Sequence, residues 1–366
     1  MIGALDLFTR TFKRYYEEIG NVLQGGKQGI DTFLFGTDDM DTAATFAMDR
    51  LLSNPWAVTF RHRDAESHVR EYTPGVGTII TIPHASEKTA ISELLRDSVV
   101  AGIESTAGVS LHDAKLMSDI INQHVGGWTA TRWKLAIDTI RTGIFTAHGI
   151  GGADLGLDID MGRLAAKSIT YDFTAAGATI DEALLNLYNA YRAGGATPSG
   201  IVVIAGLNWI SAFQSDTDVL ERAKANTSNV LVTQSLMPPE LLNTQGLYLV
   251  AQYLIPGTLT PVYICGFQPQ FDYVGAKGAT AVPFMPVDEA IILSTVDSAS
   301  RYRIFRGVDA FDTGGSVIRT VGEIVFDGFK TNDPIEELIR SQSRFAFLAG
   351  NIDRTAVCVG TFPEVS

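Results

Sequence analysis

The stretch from Trp133 to Arg163 reads WKLAIDTIRTGIFTAHGIGGADLGLDIDMGR. Its first half carries apolar residues at three- and four-residue steps: Trp133, Ile137, Ile140, Ile144 and Ala147. That spacing is the stripe of a helix lying on a core, and Arg132, Asp138 and Arg141 fall mostly off it. It predicts a helix over 128–148, a rod of roughly 30 Å. Gly149, Gly151 and Gly152 are expected to stop it. The second half alternates, with Leu155, Leu157, Ile159 and Met161 on one side and Asp154, Asp158 and Asp160 on the other, which predicts a strand with one wet face. The order helix, glycines, strand is the wrong polarity for a phosphate cradle, which needs strand, glycine loop, then helix N-terminus.

Downstream the chain reads as mixed α+β. Thr179 and Glu182 have the spacing of a capping box, and Ile180, Leu184, Leu187 and Tyr191 form a buried stripe over 179–193. IVVIA predicts a buried strand, and NWISAFQSDTDVLERAKAN one helix. LYLVAQYL and TPVYICG read as strands joined by a Pro256-Gly257 turn. DEAIILS, SRYRIFRGV and SVIRTVGEIVF are further strands, and the tail PIEELIRSQSRFAFLAG leads into a last strand around Thr355 to Val359.

Upstream, Ile2, Leu5, Phe8, Phe12, Tyr15 and Ile19 make an amphipathic helix in an arm, docked on a partner or on the body rather than on a membrane. FGTDDMDTAATFAMDRLL predicts a short helix whose N-terminus holds Asp38, Asp39 and Asp41. These aspartates lack the central Gly and terminal Glu of a Ca²⁺ loop. Residues 55–90 read as a two-stranded excursion with a charged centre of Arg61, Arg63, Asp64, Glu66, Arg70 and Glu71. Tyr72, Val76, Ile79 and Ile80 supply β-formers around the Pro74-Gly75 turn. Such a hairpin has too little apolar surface to stand alone and needs a neighbour to lie on.

Composition narrows the function. The 366 residues carry a net charge of −13, so a whole-chain grip on nucleic acid or an acidic membrane is unfavourable. Charged residues are 19% and apolar residues 46%, which excludes a disordered protein and implies more buried surface than one globule needs. The 28 basic residues are mostly Arg, and the chain holds 19 Phe, 11 Tyr and 4 Trp, a balance that favours an obligate oligomer. Cys265 and Cys358 lie in apolar strand-like runs and read as buried reduced thiols. No apolar run approaches the length of a membrane span, and the first residues lack the pattern of a signal peptide. None of the six histidines forms a metal or nucleophile motif. No cofactor and no metal is expected. Asp154, Asp158 and Asp160 are the one carboxylate set that a dispersed enzyme site could use.

Several segments, in order, resemble the tailed-phage major capsid proteins of the lambda type, which have the Hong Kong 97 capsid fold. They are REYTPGVGTIITIPH (Arg70 to His84), WKLAIDTIRTGIFTAHG (Trp133 to Gly149) and LDIDMGR (Leu157 to Arg163), followed by 200–226 and 332–360. LDIDMGR together with the terminal segment is the most specific combination. The resemblance implies an α+β Hong Kong 97-type fold. Its parts would be an N-terminal arm (1–54), an extended loop hairpin (55–90), a peripheral domain (91–178) with a spine helix (128–148), an axial domain (179–310) and closing peripheral strands (311–366).

The function implied is a non-enzymatic capsid subunit forming hexamers and pentamers of an icosahedral phage head. Its partners would be copies of itself, a portal protein, separate scaffold and cement or decoration proteins, and packaged double-stranded DNA without sequence-specific contact; no membrane is involved. It would be found in the virion head, and in the host cytoplasm during assembly. Phe8, Phe12, Arg61, Arg63, Arg70, Glu71, Tyr72 and Pro74 are the candidate assembly-interface residues. Lys88 is the single lysine of the hairpin and lies at its base, so a non-covalent shell is expected rather than one welded by Lys–Asn bonds. Two other readings are a bacterial nanocompartment shell of the same fold and a soluble α+β enzyme.

Overall fold

The computed structural model describes residues 29–36, 38–40, 45–50, 76–91, 111–148, 154–193, 199–225, 244–271, 281–295, 302–306, 308–312, 317–321, 324–332, 335–349 and 352–363. The arm segment with Phe8 and Phe12 lies outside these residues, as does the charged segment holding Arg61, Arg63, Arg70, Glu71, Tyr72 and Pro74.

A short helix α1 (Ile30–Phe35) precedes strands β1 (Asp38–Met40), β2 (Thr45–Arg50), β3 (Val76–Thr81) and β4 (His84–Ile91). The expected helix in FGTDDMDTAATFAMDRLL is therefore strand. β1 pairs in parallel with Ile304–Arg306, and β2 pairs antiparallel with β3, Phe46 opposite Ile80 and Ala47 opposite Ile79. The helix-forming Ala and Met of this segment are overridden by a β-branched partner strand, a choice made by tertiary pairing rather than local propensity.

The rod helix α2 runs from Leu111 to Thr142, 32 residues, instead of 128–148. The helix passes through both Gly126 and Gly127. Its first half also interrupts the apolar stripe of Ile120, Ile121 and Trp128 with a buried histidine, His124. The helix ends at Gly143, which adopts φ 77°, not at Gly149. IFTAH then forms strand β5 (Ile144–His148), paired antiparallel with β6 (Asp154–Asp160). A left-handed glycine ends the helix, and the β-branched residues that follow prefer the ladder.

The chain continues through β7 (Ser168–Asp172), α3 (Ile180–Arg192), β8 (Ile201–Ala205), α4 (Leu207–Ser215) and α5 (Thr217–Ala225). α4 and α5 were expected as one helix. Asp216 separates them, its Oδ1 accepting the backbone N–H groups of Asp218 (2.9 Å) and Val219 (3.2 Å) as an N-cap for α5. Then come β9 (Leu247–Tyr253), β10 (Val262–Phe267), β11 (Gln270–Phe271), β12 (Val282–Pro283), β13 (Glu289–Ser294), β14 (Tyr302–Arg306), β15 (Val308–Asp312), β16 (Val317–Val321), β17 (Val325–Asn332), β18 (Ile335–Ala349) and β19 (Ala356–Thr361). The tail PIEELIRSQSRFAFLAG is thus itself a 15-residue strand, β18.

Two larger sheets organise these strands. The mixed six-stranded sheet has the order β7-β19-β13-β8-β10-β9. The other is built on β18, whose first part pairs with β17 and β4 on opposite edges and whose last part pairs with β14. Strand alternation divides the core. Val202, Ile204, Cys265, Phe267, Ile291, Leu293 and Val357 project from one face of the six-stranded sheet toward α2, α1 and the end of β18. Their neighbours Ile201, Val203, Val262, Ile264, Ala290, Ile292, Ala356 and Cys358 project from the other face toward α3 and α4. Both faces of the sheet are covered, which is why IVVIA is apolar throughout.

Candidate functional site

A candidate functional geometry is the way α2 is held between the two sheets. The DIDMGR stretch builds the contacts at its C-terminal end. Asp160 Oδ1 accepts the Gly162 N–H at 2.7 Å, turning the chain at the end of β6. Met161 buries its side chain in the core, and its N–H reaches the Gly143 carbonyl at 3.0 Å. Gly162 takes φ 63°. The turn aims Arg163 back at the helix terminus. Its Nη1 donates to the Arg141 carbonyl at 2.6 Å, and its Nη2 donates to the Ile140 carbonyl and to Thr355 Oγ1 at 2.8 Å. A guanidinium thus caps carbonyls that the helix leaves open and places positive charge at the negative end of its dipole. The same fork ties α2 to the segment just before β19. Any side chain at Gly143 would press on Arg163, since a Cβ there lies 2.9 Å from Arg163 Cβ.

Along its flank, α2 carries an ion-pair chain. Lys134 Nζ and Arg141 Nε both donate to Asp138 Oδ1, at 2.9 and 3.2 Å, and Arg141 Nη1 donates to Glu289 Oε1 of β13 at 2.9 Å. On another side Arg132 pairs with Asp31 of α1 at 2.6 Å, both side chains largely buried. Trp133 packs edge-on against Phe267 and Phe284 at 6.0 and 5.9 Å. A second buried cation, Lys167, donates to the carbonyls of Ala190 (2.5 Å) and Tyr191 (3.1 Å) at the end of α3. Burial pulls its pKa below the ordinary lysine value, while Asp353 opposes this.

Asp158 and Asp160 lie exposed on the wet side of β6, opposite Thr146 and Ile144 in register, and Asp160 serves the turn just described. Among the described residues no group of three His, Cys, Asp or Glu is placed to hold a metal ion. No helix among them is long and apolar enough to cross a membrane. Cys265 and Cys358 are both free and buried, and burial pushes each thiol up to about 12. Reading the sequence missed Arg163, Lys167 and His124 as structural centres. For Arg163 a signal existed: an Arg directly after a strand end and a glycine, in the turn that follows Asp160. The other two left none.

No family model and no curated protein matches the chain in sequence. Solved structures do match in fold. A protein assigned as the capsid protein of a prophage in E. coli CFT073 superposes with a TM-score of 0.58 at 14% identity, covering 92% of this chain and 93% of its own. The mature capsid of bacteriophage PhiM1 gives 0.45 at 9% identity, covering 92% and 88%. The SrpI encapsulin of Synechococcus elongatus PCC 7942 gives 0.40 at 9% identity, covering 89% and 84%. The prophage likeness, over nearly the full length of both chains, shows that this chain shares the α+β fold of that capsid protein, and the Hong Kong 97 type is consistent with it.

Proposed function

We propose that the chain is the major capsid subunit of a tailed phage, assembling as hexamers and pentamers into an icosahedral head around double-stranded DNA. The observation that carries this reading is the capsid fold, taken across nearly the whole chain. Composition supports it. A shell buries its subunits against copies of themselves, which suits a chain with 19% charged residues and an excess of Arg over Lys. A net charge of −13 keeps the wall from gripping the DNA it encloses.

In this reading the role is structural and not enzymatic, and the protein belongs to the virion head, passing through the host cytoplasm during assembly. A portal protein and separate scaffold and cement proteins are its partners. The division into arm, loop hairpin, peripheral and axial domains belongs to the same proposal, with β19 returning from the peripheral part into the six-stranded sheet. Phe8 and Phe12 of the arm, and Arg61, Arg63, Arg70, Glu71, Tyr72 and Pro74 of the hairpin, are its proposed contacts with neighbouring subunits.

The test is to express the full chain and examine it by negative-stain electron microscopy beside sedimentation velocity. Closed shells, tubes, or rings of five and six are expected. A monomer that stays monomeric, with no shells containing it in phage lysate, would refute the proposal. Shells loaded with a protein cargo and free of DNA would move the reading to a nanocompartment. An Arg61/Arg63/Arg70→Glu triple variant should fold yet assemble poorly, because single exposed pairs contribute only ~0–1 kcal/mol but are repeated in every subunit. Normal particles from that variant would remove the hairpin charges from the interface.

A further inference from the structure

His124 lies on α2 where the helix crosses β4 and β18. Its ring is 2% exposed, and both nitrogens are engaged. Nε2 lies 2.7 Å from Thr89 Oγ1 of β4, and Nδ1 lies 2.7 Å from Ser341 Oγ of β18. Ser341 is fully buried and also accepts the Trp128 indole N–H at 2.9 Å. The ring stacks at 6.2 Å on Phe326 of β17. One side chain therefore joins the rod helix to three strands.

In the neutral ring one nitrogen donates and the other accepts a hydroxyl proton, from Ser341 or from Thr89. A second ring proton would make both nitrogens donors. The hydroxyl that had donated to the ring would then lose that acceptor, and an imidazolium would be buried among Ile120, Ile121, Phe326 and Ile339.

The charged group that faces the ring comes from β4: Glu87, opposite Ser341 in the β4–β18 register. β17 and β18 bring Phe326, Ile339 and Ser341 to the ring, none of them charged. One turn away on its own helix stand Ile120, Ile121, Gly127 and Trp128, also uncharged.

We infer that His124 is an acid-sensitive latch: neutral, it ties the rod helix to β4 and β18, and on protonation that tie weakens. β4 follows β3 directly through Ile82 and Pro83, so the latch lies beside the root of the β2–β3 pair. This does not rest on the assembly reading. Burial lowers the ring's pKa below the ordinary value of 6.5, and Glu87 opposes without prevailing. A group whose folded pKa is depressed contributes its full stability above its unfolded pKa and loses it as pH falls through the folded one. The tie is therefore complete above about pH 6.5 and weakens below.

The experiment is hydrogen exchange with mass spectrometry on the full chain, in whatever oligomeric state it is isolated. It is run at pH 7.5 and 5.0 and corrected for intrinsic rates. Peptides from 84–91 and 337–344 should lose protection at the lower pH, while 201–205 and 289–294 hold theirs. His124→Gln keeps a donor and an acceptor but cannot titrate, so its 84–91 protection should not respond to pH. Exchange of the imidazole C2 hydrogen in the wild-type chain reports the ring's pKa even if that variant fails to fold, and it should fall below 6.5. Equal protection of 84–91 at both pH values, an unchanged acid response in His124→Gln, or a ring pKa at or above 6.5 would each overturn the latch.

Discussion

Replacing Arg163 by Ala should destabilise the fold strongly. The side chain donates to two carbonyls in the last turn of α2 and to Thr355 Oγ1. Hydrogen bonds from a charged donor contribute ~1.5–3 kcal/mol each, and a cation at a helix C-terminus adds ~0.3–1 kcal/mol. The three bonds share one partly exposed side chain, so they do not sum, and solvent screens the charge. The expected loss is about 3–4 kcal/mol. With a urea slope near 3 kcal/mol per molar, the unfolding midpoint of unassembled subunits should drop by about 1 M. Arg163→Lys keeps the charge but cannot span both carbonyls and Thr355, so it should fall between the two. Hydrogen exchange should show the loss first at 139–148. A midpoint for Arg163→Ala within about 0.5 kcal/mol of wild type would refute the capping argument.

The glycines of the rod should respond in opposite directions. Gly126→Ala meets nothing within 4 Å in a helix interior and should stabilise by about 1 kcal/mol, read as a higher melting temperature. Gly143→Ala forces a side chain onto a φ of 77° and against Arg163, and should cost at least ~1–2 kcal/mol in the same melt. Asp31→Asn removes the charge that pairs with buried Arg132 and should destabilise by about 3 kcal/mol in urea unfolding, with α1 the first segment to exchange. Cys265 and Cys358, with thiols pushed up to about 12, have almost no thiolate at pH 8, so a thiol reagent should label them only after denaturation.

Much of the fold was legible because it follows local rules. The capping box at Thr179 is formed, with Oγ1 accepting the Glu182 N–H at 3.3 Å, and the stripe of Ile180, Leu184, Leu187 and Tyr191 is buried as its spacing required. IVVIA is buried along its whole length. The wet side of β6 holds Asp158 and Asp160 as alternation demands. The errors share a cause. β2 is rich in helix formers and is a strand because β3 lies beside it. The first half of α2 was obscured by Gly126, Gly127 and a buried histidine, which weaken a hydrophobic periodicity without preventing the helix. β18 carries helix-compatible residues and is held extended by partners on both edges.

Periodicity, capping chemistry and charge balance are properties of neighbouring residues, and the chain alone therefore settled its α+β class, most of its strands and its low-charge, interface-like composition. The junctions belong to the tertiary structure. Arg163 reaches Thr355 across 192 positions, His124 reaches Ser341 across 217, and Arg141 reaches Glu289 across 148. A hydrogen bond or ion pair depends on distances of about 3 Å, and no local pattern encodes which distant residue the packing of a helix between two sheets will bring within that reach.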